Sequence, residues 1–114
     1  MKTYLLHNRR CSKSREALEI LDKSWKKYVL VEYLKSPLDF EALKDLQSKL
    51  WLKAIEFCRT DEKEFKENNL TKNSSDDEIL KVMARFPNLM QRAIFVDWNK
   101  AVLCRPPEKI NELL

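Results

Sequence analysis

The stretch His7-Asn8-Arg9-Arg10-Cys11-Ser12-Lys13-Ser14-Arg15 holds the residues of this chain best suited to chemistry. It lies between the short apolar run Tyr4-Leu5-Leu6 and a helix expected from about Ser14, and so reads as strand, thiol-bearing loop, helix. A cysteine placed where a helix begins faces unpaired backbone N–H groups and the positive end of the helix dipole. The cationic Arg9, Arg10 and Lys13 stand close to it in sequence. Each influence favours thiolate over thiol, which makes Cys11 the candidate nucleophile. The same N–H groups would hold an oxyanion beside the sulfur. The chemistry indicated is attack by sulfur on a small anion.

The bland reading of Cys11 is a small buried hydrophobe, and its place after a strand among basic neighbours argues against that. A dithiol Cys-x-x-Cys would put a second thiol at position 14, where Ser14 stands instead. A monothiol must pass its oxidising equivalent to an outside thiol, for which glutathione or a glutaredoxin is the natural partner. Ser14 reads either as a hydrogen-bond partner of the Cys11 thiolate or as a plain helix cap. His7, the only histidine, is structural, or it orients the loop or takes the thiol proton. Arg9, Arg15 and Arg85 read as surface charge, with Arg15 kept as a helper. Arg59, Arg92 and Arg105 each stand at the edge of an apolar segment, and planar multi-donor cations of this kind suit a tetrahedral oxyanion.

The elements that must position these residues follow from periodicity. Ala17, Leu18, Leu21 and Trp25 predict an amphipathic helix from about Ser14 to Ser24. Tyr28 to Tyr33 reads as a second strand, parallel to the first across a βαβ unit. Ser36-Pro37-Leu38-Asp39 resembles a helix start with Ser36 as the cap, continued by Phe40, Leu43, Leu46 and Leu50. Trp51 to Cys58 is expected as a second helix, and Asp61 to Asp77 as a surface excursion. Ser75 to Glu78 supplies a capping box for a helix through Phe86 that Pro87 ends. Ile94 to Val96 and Ala101 to Leu103 predict a hairpin with a four-residue connection, and Pro106 opens a last helix. The order βαβ, helical insertion, ββα gives an α/β, thioredoxin-like fold: a four-stranded mixed sheet flanked by helices.

Composition narrows the class. At 114 residues one domain is expected, covering the whole chain. Hydrophobic residues at 44% and charged ones at 35% fit a globular protein rather than a disordered one. No apolar run approaches a membrane span and no signal peptide is evident, so a cytoplasmic protein without membrane association is expected. Cys11, Cys58 and Cys104 support neither a disulfide framework nor a metal site. The charge of +4 is mild and its basic residues are spread among acidic ones, which argues against nucleic acid. There is no glycine, so turns needing positive φ should fall to Asn68-Asn69 and Asn99.

The motifs resemble the glutaredoxin-linked arsenate reductases, a branch of the thioredoxin-like superfamily. The likeness runs through His7-Asn8 to Arg15, Glu32-Tyr33-Leu34-Lys35-Ser36-Pro37, Arg59-Thr60, Phe86-Pro87-Asn88-Leu89, Gln91-Arg92-Ala93-Ile94 and Cys104-Arg105-Pro106-Pro107-Glu108. The resemblance implies that Cys11 attacks arsenate and that glutathione and glutaredoxin reduce the adduct to release arsenite, with no bound cofactor. It implies that Arg59, Arg92 and Arg105 bind the oxyanion, that His7 supports the thiolate, and that Arg10, Ser14 and Asn8 of the loop join the substrate-binding residues. A monomer is expected. Cys58 and Cys104 read as packing residues, or as a resolving thiol if either lies near Cys11. Ala93 stands where the family usually has a cis-proline, and a cis bond without proline costs about 2.5 to 4 kcal/mol, so a trans Arg92-Ala93 bond and a locally altered pocket are expected. Two alternatives stay open: a glutathione-dependent thiol oxidoreductase of the same fold, and a transcriptional regulator like the Spx proteins, which commonly carry Cys-x-x-Cys.

Overall fold

The computed structural model describes residues 2–114. Its chain forms two compact units, one from the residues up to Ser36 together with Arg92–Leu114, the other from Pro37–Gln91.

The first unit is built on β1 (Thr3–His7), α1 (Ser12–Lys23) and β2 (Val29–Glu32), with β3 (Ile94–Asp97) and β4 (Lys100–Leu103) returning from the far end of the chain. The sheet order is β2-β1-β3-β4. β1 and β2 run parallel, with Leu6 opposite Val31 and His7 opposite Glu32. β3 is antiparallel to β1, with Leu6 opposite Ile94, and β4 is antiparallel to β3. One face of this mixed sheet packs Leu5, Phe95 and Val102 against Ala17 and Leu21 of α1 and against Ile110. Ala17 and Leu21 are one helical turn apart, so both reach the same surface. The last helix expected from Pro106 is the 3-10 helix Pro107–Leu113.

The second unit consists of α2 (Phe40–Leu50), a 3-10 turn at Ala54–Phe57, α3 (Lys63–Glu67), α4 (Asp76–Arg85) and a 3-10 turn at Pro87–Leu89. Leu43 and Leu46 of α2 and Ile79, Leu80 and Met83 of α4 are buried. The capping box expected before α4 forms, Ser75 Oγ accepting from Glu78 N at 3.2 Å and Glu78 Oε1 accepting from Ser75 N at 2.9 Å. The cap of α2 is Asp39, not Ser36, because the Asp39 carboxylate accepts from Ala42 N at 2.8 Å. A carboxylate two residues beyond Pro37 satisfies one of the free N–H groups and leaves Ser36 outside the helix. Among the described residues no helix is long and apolar enough to cross a membrane.

Among the described residues four adopt positive φ: Trp25 (65°), Trp51 (59°), Asn69 (60°) and Trp98 (58°). Asn69 meets the expectation, whereas Asn99 does not take this role. The hairpin turn is two residues long, not four, since Asp97 pairs with Lys100, and its first residue, Trp98, carries the positive angle. Trp25 lies beyond the end of α1 at 91% exposure, so it does not extend the apolar stripe. Trp51 ends α2 in the left-handed region at 89% exposure, which replaces the second helix expected from Trp51 with the short turn at Ala54–Phe57.

Candidate active site

Strand register builds the site. β1 and β2 end at the same edge of the sheet and β3 begins there, with His7 beside Glu32 and Leu6 beside Ile94. Asn8, Tyr33 and Arg92 therefore continue from neighbouring strands at that edge. The chain turns at once into α1, Cys11 N donating to Asn8 O at 3.0 Å. Asn8 Oδ1 accepts from Arg10 N at 3.0 Å, the local side-chain turn that asparagine favours. α1 starts at Ser12, two residues before the sequence placed it, and Cys11 is its N-cap in extended conformation.

Cys11 is only partly exposed. Burial on its own would push the thiol up. The Arg92 guanidinium beside it, followed by the free N–H groups of Ser14 and Lys13, outweighs burial and holds the thiol below its ordinary range. The positions from which a capping oxygen would normally satisfy those N–H groups are thus given to sulfur.

His7 and Ser14 are both buried, and the Ser14 hydroxyl stands 2.6 Å from His7 Nδ1. Ser14 Oγ also accepts from Asn8 N at 3.0 Å. The hydroxyl therefore ties the end of β1 to the first turn of α1, and it is the Ser14 backbone that faces the sulfur. Burial pushes the His7 ring down, with Glu32 opposing and Arg15 and Arg9 reinforcing, so the imidazole is neutral at physiological pH. Its bond to Ser14 makes it an anchor of the loop.

The arginines are placed differently from one another. Arg92 is beside Cys11. Arg105 is exposed and shares a cleft of about 350 Å³ with Lys13, Pro106 and Pro107. Arg59 belongs to the second unit, where Arg59 N donates to Leu89 O at 2.6 Å and Nη1 lies 3.5 Å from Glu62. Arg10 lines a cleft of about 320 Å³ with His7, Asn8, Arg9, Glu32 and Lys35. Arg9 is engaged by Glu32 at 2.8 Å, and Arg15 Nη1 donates to Arg9 O at 2.9 Å. Cys58 and Cys104 are buried thiols, pushed up by burial to about 11 and about 12.

The Arg92-Ala93 peptide is cis, contrary to the expected trans bond, and Arg105-Pro106 is cis as well. Ala93 is fully buried and its carbonyl accepts from Cys104 N at 2.8 Å. Packing and pairing on the Ala93 side, with Arg92 engaged at Cys11, decide the geometry here rather than the preference of a free peptide. Sequence reasoning gave Tyr33 no role at the site, placing it at the end of a strand and within a family motif. It is 1% exposed, and its hydroxyl, like Arg92 Nε, has no hydrogen-bond partner among the described residues. The signal that would have found it is its alignment with Asn8 once β1 and β2 are paired. Among the described residues no three His, Cys, Asp or Glu side chains gather to hold a metal.

Comparison with known proteins decides the family, since the ArsC family model matches residues 6–113. The chain belongs to the ArsC family. It is 39% identical over 112 residues to the uncharacterized protein YfgD of Escherichia coli strain K12, covering 96% of this chain and 94% of that one. It is 37% identical to an arsenate reductase of Neisseria meningitidis serogroup A, covering 96% of each chain. Among solved structures, an arsenate reductase from Vibrio cholerae superposes with a TM-score of 0.92 at 36% identity, over 100% of this chain and 98% of that one. This member of the ArsC family thus shares its four-stranded mixed sheet with thioredoxin-like arsenate reductases.

Proposed function

We propose that this ArsC-family protein is a glutathione- and glutaredoxin-dependent arsenate reductase in which Cys11 is the nucleophile. The observation that carries this reading is a thiol at the N-cap of α1 with the Arg92 guanidinium beside it, which together with the first N–H groups of the helix holds the thiol pKa below its ordinary range. Cys11 Sγ bonds to arsenic while an arsenic-bound oxygen leaves as water. Glutathione and glutaredoxin then reduce the adduct. In net terms arsenate takes two electrons from two glutathione thiols, giving arsenite, glutathione disulfide and water. Arg92 meets the charge on the oxyanion, and Asn8, Ser14 and neutral His7 hold the loop in shape. Arg10, Arg59 and Arg105 enter as further oxyanion ligands through the family resemblance.

The test is arsenate-dependent oxidation of NADPH coupled through glutathione, glutaredoxin and glutathione reductase. Wild-type protein should turn over, and Cys11→Ser should not. A small mixed disulfide with glutathione is run in parallel. Turnover of that disulfide without turnover of arsenate would replace this reading with a thiol oxidoreductase.

A further inference from the structure

Buried polar atoms in folded proteins almost always have partners, because a lost hydrogen bond in the interior costs the full desolvation of the group. Two side-chain atoms break that rule here among the described residues, Tyr33 Oη and Arg92 Nε. They are not scattered. Register brings both to the sheet edge beside Asn8, at the start of the loop that carries Cys11, and the two side chains and the sulfur lie within electrostatic reach of one another. A pair of orphaned donors next to a nucleophile is a site waiting for an acceptor.

We propose that the Tyr33 hydroxyl and Arg92 Nε are a donor pair for one oxygen of the tetrahedral anion attacked by Cys11, so that Tyr33 is a substrate-binding residue of the reaction. The inference rests on the arsenate-reductase reading for the identity of the anion. Burial pushes the Tyr33 phenol up to about 12, with the nearby Arg92 charge pulling the other way, so at neutral pH the hydroxyl keeps its proton and donates. A neutral donor aimed at an oxygen that gains charge as sulfur attacks strengthens its bond during the reaction. The hydroxyl also adds selectivity. An anion without an oxygen at that position would leave the pair unpartnered.

Tyr33→Phe separates this role from a structural one. The ring remains and fills the same space, and the atom removed makes no hydrogen bond of normal geometry, with only looser polar interactions to Arg92 and Asn8, so the urea unfolding midpoint should change little. The kcat/KM for arsenate should fall roughly ten- to hundredfold, the range expected for a hydrogen bond to a charged group. A second readout needs no turnover: phosphate should slow alkylation of Cys11 by iodoacetamide in the wild type, and Tyr33→Phe should need roughly tenfold more phosphate for the same protection. Wild-type kcat/KM with unchanged phosphate protection in Tyr33→Phe would overturn the proposal. So would a loss of stability that accounts for the loss of activity. If the wild type does not reduce arsenate, the functional reading fails, and the phosphate arm alone decides whether Tyr33 binds an oxyanion.

Discussion

Both the sheet edge that carries Cys11 and the three turns that carry Trp25, Trp51 and Trp98 hold residues where elementary rules would not put them. At the edge, Tyr33 Oη and Arg92 Nε are buried without partners, and the helix cap is a sulfur in place of the usual oxygen. In the turns, large side chains occupy left-handed backbone angles that favour glycine. The departures at the edge converge on one atom and shift the chemistry of that atom. The tryptophans stand at 91%, 89% and 62% exposure in three separate turns, and the ring contact found for them is Lys2 Nζ over Trp98 at 5.6 Å. Departures that cluster around a reactive group mark a functional site, and dispersed ones follow from a chain without glycine.

The largest expected effect belongs to the edge: Cys11→Ser should abolish arsenate turnover and leave the fold intact, which circular dichroism checks beside the coupled assay. Arg92→Gln comes next. Losing the cation should raise the thiol pKa and lower kcat/KM roughly ten- to hundredfold, with a higher KM for arsenate. An unchanged KM would separate Arg92 from the anion.

Neutral His7 predicts a pH dependence of stability. Its folded pKa lies below its unfolded value near 6.5, so in the window between the two the unfolded chain binds a proton that the folded chain refuses. Stability is then fully present above pH 6.5 and is lost as pH falls toward the folded value. His7→Gln should flatten that part of the curve in urea titrations across pH. An equally steep curve in the variant would assign the effect to other groups.

The smallest effects are in the turns, and they run the other way. Trp25→Gly, Trp51→Gly and Trp98→Gly should each raise stability by roughly 0.5 to 1 kcal/mol, because glycine has no Cβ to resist positive φ. Arsenate kcat/KM should not move. A fall in the urea midpoint in any of the three would show that the indole makes a contact worth more than the relief of its backbone, and the contrast between edge and turns would weaken at that turn.

Much of the edge was legible because it is local. Strand, thiol and helix start follow one another within a dozen residues of sequence, and the pairing of β1 with β2 follows from one βαβ unit. Without the family resemblance Arg92 was legible only as an arginine beside an apolar run, since its place depends on β3 crossing back from the far end of the chain. Tyr33 was invisible for the same reason, because an orphaned hydroxyl is a property of everything that surrounds it. The α2 cap was misread because Ser36-Pro37 and Asp39 both carry cap chemistry, and only the extended backbone at Asp39 shows which one is used. Trp25 was misread because an aromatic at helical spacing looks like core, while turn geometry leaves position 25 beyond the end of α1.

The most direct measurement is the rate of alkylation of each cysteine in the native protein, resolved by mass spectrometry across pH. Cys11 should react alone at neutral pH, with an inflection below the free-thiol value of about 8.5, while Cys58 and Cys104 stay unmodified until the chain unfolds. A Cys11 inflection at or above that value, or reaction of Cys58 or Cys104 ahead of it, would contradict the claim that this sheet edge makes one sulfur a nucleophile.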